Sequence, residues 1–421
     1  MTTTKNNEHK KLNFPNEQEQ SQACLNSAEH EKNQGRKVLN VPNLRFPEFQ
    51  GEWEKCILGD ITENFNLRNK DKIQYPMFSV TNDRGFVPQS EQFEGRDMVG
   101  EDIKAYKIIH TNDFAYNPAR INVGSIAIYT GEKPCMISSL YVCFKTTKEV
   151  NNEWLMQLLK TPKMNYYYNV NGEGGVRVYL FYPNFARIRM SIPKIEEQKK
   201  IAKLLNLLDE RIATQNKIIE DLKKLKSAII EIEYTPNTKT TSHIGDVIEQ
   251  ISKRNKNNAI KNVLSVSNRQ GFIKQSDQFE NRNVASEDTS NYKIVEKNNF
   301  AFNPARINVG SITRLTTFEK GIVSPMYICF RTQENVAPEY IDFFFESKHF
   351  YYEIQKRLEG SVRQCLSFEG LCNIPFSLPS LEMQQRIGKR LFTLGQKIKT
   401  ETDLLELLNK QKQYLLRQMF I

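Results

Sequence analysis

The stretch Asn117-Pro118-Ala119-Arg120-Ile121-Asn122-Val123-Gly124-Ser125-Ile126 recurs letter for letter as Asn303 to Ile312. At the same shift of 186 residues, the difference between 303 and 117, Leu58-Gly59-Asp60 aligns with Ile244-Gly245-Asp246, and the match continues without a gap to the last predicted helix. Two copies of this length predict two domains rather than a stack of short repeats. The 421 residues of the chain are enough for each copy to bury its own core.

Each copy opens with short β-rich runs separated by Gly, Asn and Pro, among them Ser125 to Tyr129 and Leu140 to Phe144 in the first copy. A Tyr-rich stretch with helical character follows, and a glycine-bearing loop then leads into a last strand that ends at Pro193 or Pro379. This order predicts an α+β protein with two tandem, homologous α/β heads, each followed by a long helix.

Beyond each of those prolines, the apolar residues recur at spacings of three and four. They are Ile201, Leu205, Leu208, Ile212, Ile219, Leu222 and Ile229 in the first copy and Ile387, Leu391, Leu394, Ile398, Leu405, Leu408 and Leu415 in the second. A series of about five heptads is typical of a coiled coil. Polar residues interrupt both series at matching places, Gln215 with Glu401 and Lys226 with Lys412, which indicates that the two helices pair with each other. The alternative is that each helix packs only on its own head.

Bulk composition restricts the class of protein. The formal charge of +10 and the pI near 9.0 permit a polyanionic partner without requiring one. The seven cysteines contain no C-x-x-C pair, which fits reduced thiols in a cytoplasmic protein better than a disulfide or zinc framework. No segment approaches about 18 consecutive apolar residues, so we expect no membrane association. Residues 1–40 are rich in polar side chains and are predicted to be a disordered N-terminal extension.

No constellation of catalytic residues is evident in the sequence. The five histidines share no metal-binding spacing, and there is no G-x-x-x-x-G-K-[ST] phosphate loop. The nearest approach is Tyr116-Asn117-Pro118-Ala119-Arg120, which is similar to the Asn-Pro-Pro-Tyr element of adenine methyltransferases. Ala119 and Arg120 replace its second proline and its tyrosine, and no Gly-rich cofactor loop precedes it. We therefore predict no catalytic residue, no bound metal and no cofactor for this chain.

The repeated block carries side chains that suit DNA recognition. Pro118 and Pro304 fix a turn that presents the residues behind it. The candidate DNA-binding residues of the block are Asn117, Arg120, Asn122, Asn303, Arg306 and Asn308. Arg and Asn pair with guanine and adenine edges in the major groove. Because these residues are identical in the two copies, we expect them to hold phosphates or a base common to two half-sites. Alternatively, they hold the turn itself by hydrogen bonds.

Two further loops supply candidates. The glycine-bearing loops Gly172 to Arg177 and Gly360 to Arg363 end in an arginine, which suits close approach to a DNA backbone or groove. A plain hairpin turn would have the same composition. Arg177 and Arg363 are the DNA-binding candidates in these loops.

Positions that differ between the copies are the candidates for discriminating bases. Asp83-Arg84 becomes Arg269-Gln270, and His110 becomes Glu296. These changes exchange hydrogen-bond acceptors for donors, which is how a base preference changes. Arg84, Arg269 and Gln270 are therefore predicted to contact DNA, with neutral surface variation as the alternative.

The chain resembles a known family at three places. Ile192-Pro193-Lys-Ile-Glu-Glu-Gln-Lys-Lys-Ile201 and Leu378-Pro379-Ser-Leu-Glu-Met-Gln-Gln-Arg-Ile387, each at the start of a long helix, are similar to the conserved-region signature of type I restriction-modification specificity subunits. Pro42 to Phe49 is typical of the start of one such group. The resemblance covers about residues 41–421, and Met383 replaces the usual Glu of the signature.

The resemblance implies an architecture and a set of partners. It implies target recognition domains at 41–195 and 236–381, and conserved spacer helices at 196–235 and 382–421 that pair as an antiparallel coiled coil with pseudo-two-fold symmetry. It also implies that the chain binds double-stranded DNA, two adenine methyltransferase subunits and ATP-dependent restriction subunits. S-adenosylmethionine, ATP and Mg²⁺ would then belong to those partner subunits and not to this chain. The rival interpretation is a coiled-coil scaffold that binds protein without recognising a DNA sequence.

Overall fold

The computed structural model describes most of the chain outside the N-terminal region. The described residues are 39–92, 103–175, 178–235, 242–268, 270–278, 288–360 and 364–421. They fall into two compact units, the first made of the described residues up to Leu208 together with Gln411–Ile421, and the second of those within Asp209–Lys410. Nearly all of the predicted extension, residues 1–40, lies outside the described residues.

The first unit contains one mixed head. Its strands are β1 (Glu54–Ile57), β2 (Thr62–Phe65), β3 (Phe78–Thr81), β4 (Gly85–Pro88), β5 (Lys107–Ile109), β6 (Phe114–Tyr116), β7 (Ile126–Ile128), β8 (Cys135–Ile137), β9 (Val142–Thr146) and β10 (Arg189–Ile192). Its helices are α1 (Leu58–Ile61), α2 (Gln89–Gln92), α3 (Asn152–Leu159), α4 (Pro162–Asn171) and α5 (Tyr182–Ala186). The main sheet is antiparallel with the order β2-β9-β6-β7, and the pairs β3-β4, β5-β8 and β1-β10 are separate.

The long helix α6 (Ile195–Tyr234) leads into the second unit, whose head repeats this plan. Its strands are β11 (Ile248–Ile251), β12 (Val263–Ser267), β13 (Gly271–Lys274), β14 (Lys293–Glu296), β15 (Phe300–Phe302), β16 (Ile312–Arg314), β17 (Lys320–Val323) and β18 (Ile328–Thr332). Its helices are α7 (Gln275–Gln278), α8 (Pro338–Phe344), α9 (Lys348–Gln355), α10 (Phe368–Cys372) and the long α11 (Leu381–Gln418). The order β11-β18-β15-β16 reproduces the main sheet of the first head, which confirms the predicted homology.

The main sheet of each head separates two cores because side chains alternate along a strand. In the first head, Phe114 and Phe144 stack with ring centroids 4.8 Å apart on the face that the helices cover. On the opposite face, small residues such as Ala115 and Cys143 pack against the β3-β4 and β5-β8 pairs. Cys143 and its counterpart Cys329 are therefore buried small residues of the core, and burial raises the pKa of both thiols to about 12.

Each unit also contains parts of both long helices. In the first unit, the start of α6, the end of α11 with Leu416, and the residues Met419 and Phe420 that follow it enter the main core of the head. In the second unit, the end of α6, with Tyr234, and the start of α11, with Leu391, do the same. Helix packing on the heads and pairing between the helices thus occur together rather than as alternatives.

A buried polar pair marks the pairing of α6 with α11. Gln215 Nε2 donates to the backbone oxygen of Glu401 at 3.0 Å and to its carboxylate at 2.5 Å. Further along, Glu233 of α6 faces Arg390 of α11 at 3.7 Å, so the residue numbers rise along one helix as they fall along the other. This confirms the predicted antiparallel pairing. Gln215 and Glu401 are also repeat counterparts, and direct contact between counterparts is what a pseudo-two-fold relation between two helices requires.

Lys226 has a different place from the one predicted. Its ammonium donates to the Glu346 carboxylate at 2.6 Å and lies over the Phe343 ring, so it contacts the second head rather than the seam between the helices. A heptad pattern identifies which positions face inward, but it does not distinguish a partner helix from a head on the same side.

The signature glutamine at the start of each long helix is buried, and both its side-chain oxygen and its side-chain nitrogen are hydrogen-bonded. Gln198 accepts a hydrogen bond from the backbone N–H of Asn151 at 2.8 Å and donates to the backbone oxygen of Pro193 at 2.9 Å. Gln384 accepts from the backbone N–H of Ala337 and donates to Pro379, both at 2.9 Å. The glutamine therefore joins each helix start to the loop before the helix that packs beneath it.

We expect Gln384→Ala to lower the free energy of unfolding by about 1–3 kcal/mol, because the backbone N–H of Ala337 would be left buried without an acceptor. Urea unfolding followed by far-ultraviolet circular dichroism measures the change. Gln385→Ala is the matched control, since Gln385 is exposed on the same turn. Equal unfolding midpoints for the two variants would contradict the structural role of Gln384.

Candidate nucleic-acid interface

The repeated block forms a tight turn between a central strand and an edge strand of each main sheet, β6 and β7 in the first head and β15 and β16 in the second. In the first head, the Asn117 backbone N–H donates to the oxygen of Ser125, and the Asn117 side-chain oxygen accepts from the backbone N–H of Ala119, both at 3.0 Å. Gly124 closes the turn with φ of 96°, a conformation that favours glycine. Asn303 accepts from Ala305 in the same way at 3.1 Å. The side-chain oxygens of these two asparagines therefore hold the turn.

The turn presents an arginine in each head. Arg120 and Arg306 are exposed, and their guanidinium groups make no hydrogen bond or ion pair to any described residue. The neighbouring asparagines have different surroundings in the two heads. Asn122 donates to Asn169 at 3.0 Å in the first head, whereas in the second head a glutamine, Gln355, stands at the position that corresponds to Asn169. The two arginines are thus the side chains of the turn that are available for a ligand in both heads.

The predicted discriminating positions lie at a hairpin tip beside this turn. Arg84 is in the β3-β4 tip, exposed and 3.9 Å from Glu91, and Gln270 is in the corresponding β12-β13 tip. Asn268 of that tip donates to the backbone oxygen of Val309 at 3.3 Å, which joins the hairpin to the turn. In the first head, hydrogen bonds from its own backbone N–H and from Thr81 hold the pKa of Asp83 below the ordinary range, so this carboxylate is an acceptor at neutral pH.

The glycine-bearing loop is anchored to the same turn. Its base is pinned in the first head by reciprocal backbone hydrogen bonds between Glu173 and Tyr179 at 2.8 Å, as expected of a narrow hairpin. The next residue, Leu180, donates its backbone N–H to the oxygen of Pro118 at 3.0 Å, and Leu366 donates to Pro304 at 3.1 Å. The arginines predicted at the end of each loop, Arg177 and Arg363, lie outside the described residues, as does Arg269.

In the second head the turn and hairpin border a pocket of about 330 Å³. Its lining residues are Ser265, Val266, Ser267, Asn268, Gln275, Tyr292, Asn303, Arg306, Val309, Ser311, Ser324, Met326 and Tyr327. Eleven of these thirteen residues are identical at the corresponding positions of the first head; Ser267 corresponds to Thr81 and Met326 to Leu140. The residues that line this pocket, among them an exposed arginine, are therefore part of the repeated frame.

Two observations set the limits of this surface. Glu296 lies at the opposite end of β14 from Tyr292 of the pocket, about 13 Å away at the usual rise of a strand. Glu296 is bonded there to Lys320 at 2.8 Å, which lowers the pKa of its carboxyl, so the His110-to-Glu296 difference is not brought to the turn. Within the described ranges, no group of three His, Cys, Asp or Glu side chains is placed to hold a metal ion.

The loop from Ser324 to Tyr327, which supplies three lining residues, was not among the sequence candidates. Tyr327 accepts a hydrogen bond from the backbone N–H of Val266 at 3.4 Å, and its backbone oxygen accepts from Lys293 at 2.7 Å. Tyr141 makes the same two contacts in the first head, at 3.2 Å and 2.6 Å. The sequence indicated this loop only through Ser, Tyr and Lys residues that recur at matching places in the two copies. Their contacts in the folded protein were needed to place the loop at the candidate site.

Comparison with known proteins identifies the family. The type I restriction modification DNA specificity domain matches residues 50–224 and again residues 236–410. The MjaX specificity subunit of Methanocaldococcus jannaschii is 24% identical over 415 residues, which cover 90% of this chain and 93% of that protein. The type I restriction enzyme MjaVIII specificity subunit of the same organism is 24% identical over 412 residues, 88% and 90% of the two chains.

Solved structures support the fold. The crystal structure of the S subunit of a type I restriction-modification system from M. genitalium aligns with a TM-score of 0.56 and 14% identity, over 90% of this chain and 99% of that chain. The duplicated family match extends over more than half of the chain, and each copy of it spans one head and most of the long helix that follows. The chain therefore belongs to the family of type I restriction-modification specificity subunits, with two tandem recognition domains whose role is DNA sequence specificity.

Proposed function

We propose that each head recognises one half of a bipartite DNA site through the surface formed by the turn, the hairpin tip and the pocket between them. The observation that carries this proposal is the near-identity of the pocket lining in the two heads around an arginine without a partner among the described residues. A planar guanidinium at the mouth of a polar surface suits a phosphate or a guanine edge. The amides and hydroxyls around it suit base edges.

The repeat separates the residues of this surface into those that are identical in the two heads and those that differ, and we assign the two groups different roles. Arg120 and Arg306 are identical in the two heads, so we assign them to the DNA backbone, which has the same chemistry in every sequence. Arg84 and Gln270 occupy the same hairpin tip with different hydrogen-bonding groups, so we assign them to discrimination between the half-sites. Asn122 and Asn308 stand beside the arginines, and Arg177, Arg269 and Arg363 remain proposed contacts on the same loops.

The finer assembly also belongs to this proposal. We assign the chain a non-catalytic role in which α6 and α11 set the spacing of the half-sites and dock two adenine methyltransferase subunits, while ATP-dependent restriction subunits join the complex. S-adenosylmethionine, ATP and Mg²⁺ are assigned to those subunits. Within the described part of the chain, no helix is both long and apolar enough to cross a bilayer.

A stripe on α6 is the docking surface we assign to a methyltransferase subunit. Ile218, Leu225 and Ile232 recur every seven residues and are all exposed, and Ile232 is the most exposed of the three. Seven-residue spacing keeps side chains on one face of a helix, and an apolar face of this kind suits a partner helix. Comigration of the chain with a purified methyltransferase subunit on gel filtration, and its loss in Leu225→Asp with Ile232→Asp, tests this assignment.

Arg120→Ala and Arg306→Ala are each expected to weaken DNA binding by the assembled methyltransferase about tenfold or more, and to reduce the salt dependence of the binding constant by about one unit of slope. The reason is that each substitution removes one cation from a phosphate. Titrations at several salt concentrations, with duplexes that carry and lack the mapped methylation site, measure both quantities.

Arg187→Ala is the control, since Arg187 is an exposed arginine of the first head at the end of α5. Unchanged affinity and slope in both variants would refute the proposed contacts. The scaffold alternative makes a different prediction: the chain would then bring the methyltransferase together without changing which DNA sequence it binds.

A further inference from the structure

Three positions of the heads expose a large apolar or aromatic side chain in both copies of the repeat, among the described residues. They are Val123 with Val309, Leu140 with Met326, and Tyr166 with Tyr352. Other exposed apolar residues have no such match; Leu67, for example, corresponds to Lys253. Single exposed apolar residues are ordinary on a protein surface, but their recurrence at the same position in two copies indicates a common function.

Two of the three positions lie beside the arginine of the turn. Val309 and Met326 line the pocket with Arg306, from opposite loops, and they are 48% and 58% exposed. In the first head, Val123 and Leu140 are 54% and 78% exposed at the corresponding places. We call Val123 with Leu140, and Val309 with Met326, the apolar lip of each head.

The surroundings of the lip indicate its ligand. Apart from Val266, Tyr292 and Tyr327, the residues that line the pocket with the lip are serines, asparagines, a glutamine and an arginine, whereas a surface for another protein has an apolar centre. In the major groove, the one apolar group that a base edge offers is the 5-methyl group of thymine, and apolar side chains contact it. If the arginine binds the DNA backbone, the apolar side chain next to it would lie at the edge of the major groove.

We propose that the apolar lip of each head contacts a thymine methyl group within its half-site, and that Leu140 and Met326 are specificity-determining residues. This inference rests on the proposed recognition of DNA by the heads. The lip has the same chemistry in the two heads, so a thymine occupies the corresponding place of both half-sites. Sequence-independent binding is left to the arginines.

The test replaces each thymine of the recognised sequence, one at a time, by uracil, which lacks only the methyl group. With the wild-type chain in the assembled methyltransferase, one replacement in the half-site of the first head should weaken binding about fourfold, the effect of losing one buried methyl-sized contact. Leu140→Ala should weaken binding to thymine DNA and abolish the effect of that replacement. Met326→Ala should do the same only in the other half-site.

Leu67→Ala controls for the loss of an exposed leucine in the first head, and the exchanges Leu140→Met and Met326→Leu should keep the sensitivity to uracil. The proposal would be overturned if the losses of DNA affinity caused by the side-chain substitution and by uracil were additive. It would also be overturned by half-sites that contain no thymine, or by weaker binding of the methyltransferase subunit to the Leu140→Ala variant. Sequence-specific binding by the wild-type complex in the same titrations would leave the proposed function standing in each of those cases.

Discussion

Replacing Phe420 with Ala is expected to lower the free energy of unfolding of the first unit by about 3–5 kcal/mol, although Phe420 lies more than two hundred residues after the head that it stabilises. Its ring lies 6.0 Å from that of Trp154 and belongs to the main core of the head, together with Leu416 and Met419. Truncating the ring removes its burial and leaves a cavity beside Trp154 of α3.

Tryptophan fluorescence during urea unfolding isolates this effect. The chain has two tryptophans, Trp53 and Trp154, and both lie in the core of the first head. Tyr414→Ala is the matched control, since Tyr414 is an exposed aromatic residue six positions before Phe420, near the end of α11. Similar midpoints for Phe420→Ala and Tyr414→Ala would show that the Phe420 ring contributes nothing to the stability of the first head.

The second large effect is expected from Arg45→Ala, which should cost about 3–5 kcal/mol because it leaves the Glu197 carboxylate buried without its cation. Glu197 is 2% exposed, and Arg45 donates to its two oxygens at 2.8 Å and 2.7 Å. The indole N–H of Trp53 donates to the same carboxylate at 3.2 Å. The segment that precedes the first head is thereby attached to the start of α6.

The second copy of the repeat supplies the rescue for this experiment. Met383 stands in the place of Glu197, and the counterpart of Arg45 is Glu231, which lies within helix α6, whereas Arg45 lies outside any helix or strand. We therefore expect the double variant Arg45→Ala with Glu197→Met to recover most of the stability that Arg45→Ala loses. Urea unfolding by tryptophan fluorescence measures both variants, and strictly additive losses would exclude the coupling.

The repeat explains why much of the fold could be predicted. Two homologous heads and two long pairing helices follow from the recurrence of the ten-residue block and from apolar spacings of three and four, which are local properties of the chain. The replacement of the usual signature Glu by Met383 was visible in the sequence as well. Its cause was not, because Arg45 and Glu197 are 152 residues apart and only folding brings them together.

The candidate site could likewise be predicted from the sequence only in part. Arg120 and Arg306 are exposed as a DNA contact requires, whereas the side-chain oxygens of Asn117 and Asn303 are used by the turn. Sequence alone could not separate these roles, since Asn in a turn serves either purpose. The lip residue Leu140 was missed because a leucine next to a β-rich run is the usual mark of a buried strand, and only its position beside Tyr141 in a loop exposes it.

The presence of the end of α11 in the first unit has a consequence for protein synthesis. A head normally completes its folding soon after it leaves the ribosome, N-terminal domains first. Here the core of the first head also requires Leu416, Met419 and Phe420, which are translated roughly 10 to 40 s after Leu205 at usual elongation rates. A nascent chain that stops before Leu416 would therefore present a first head whose core is unfinished.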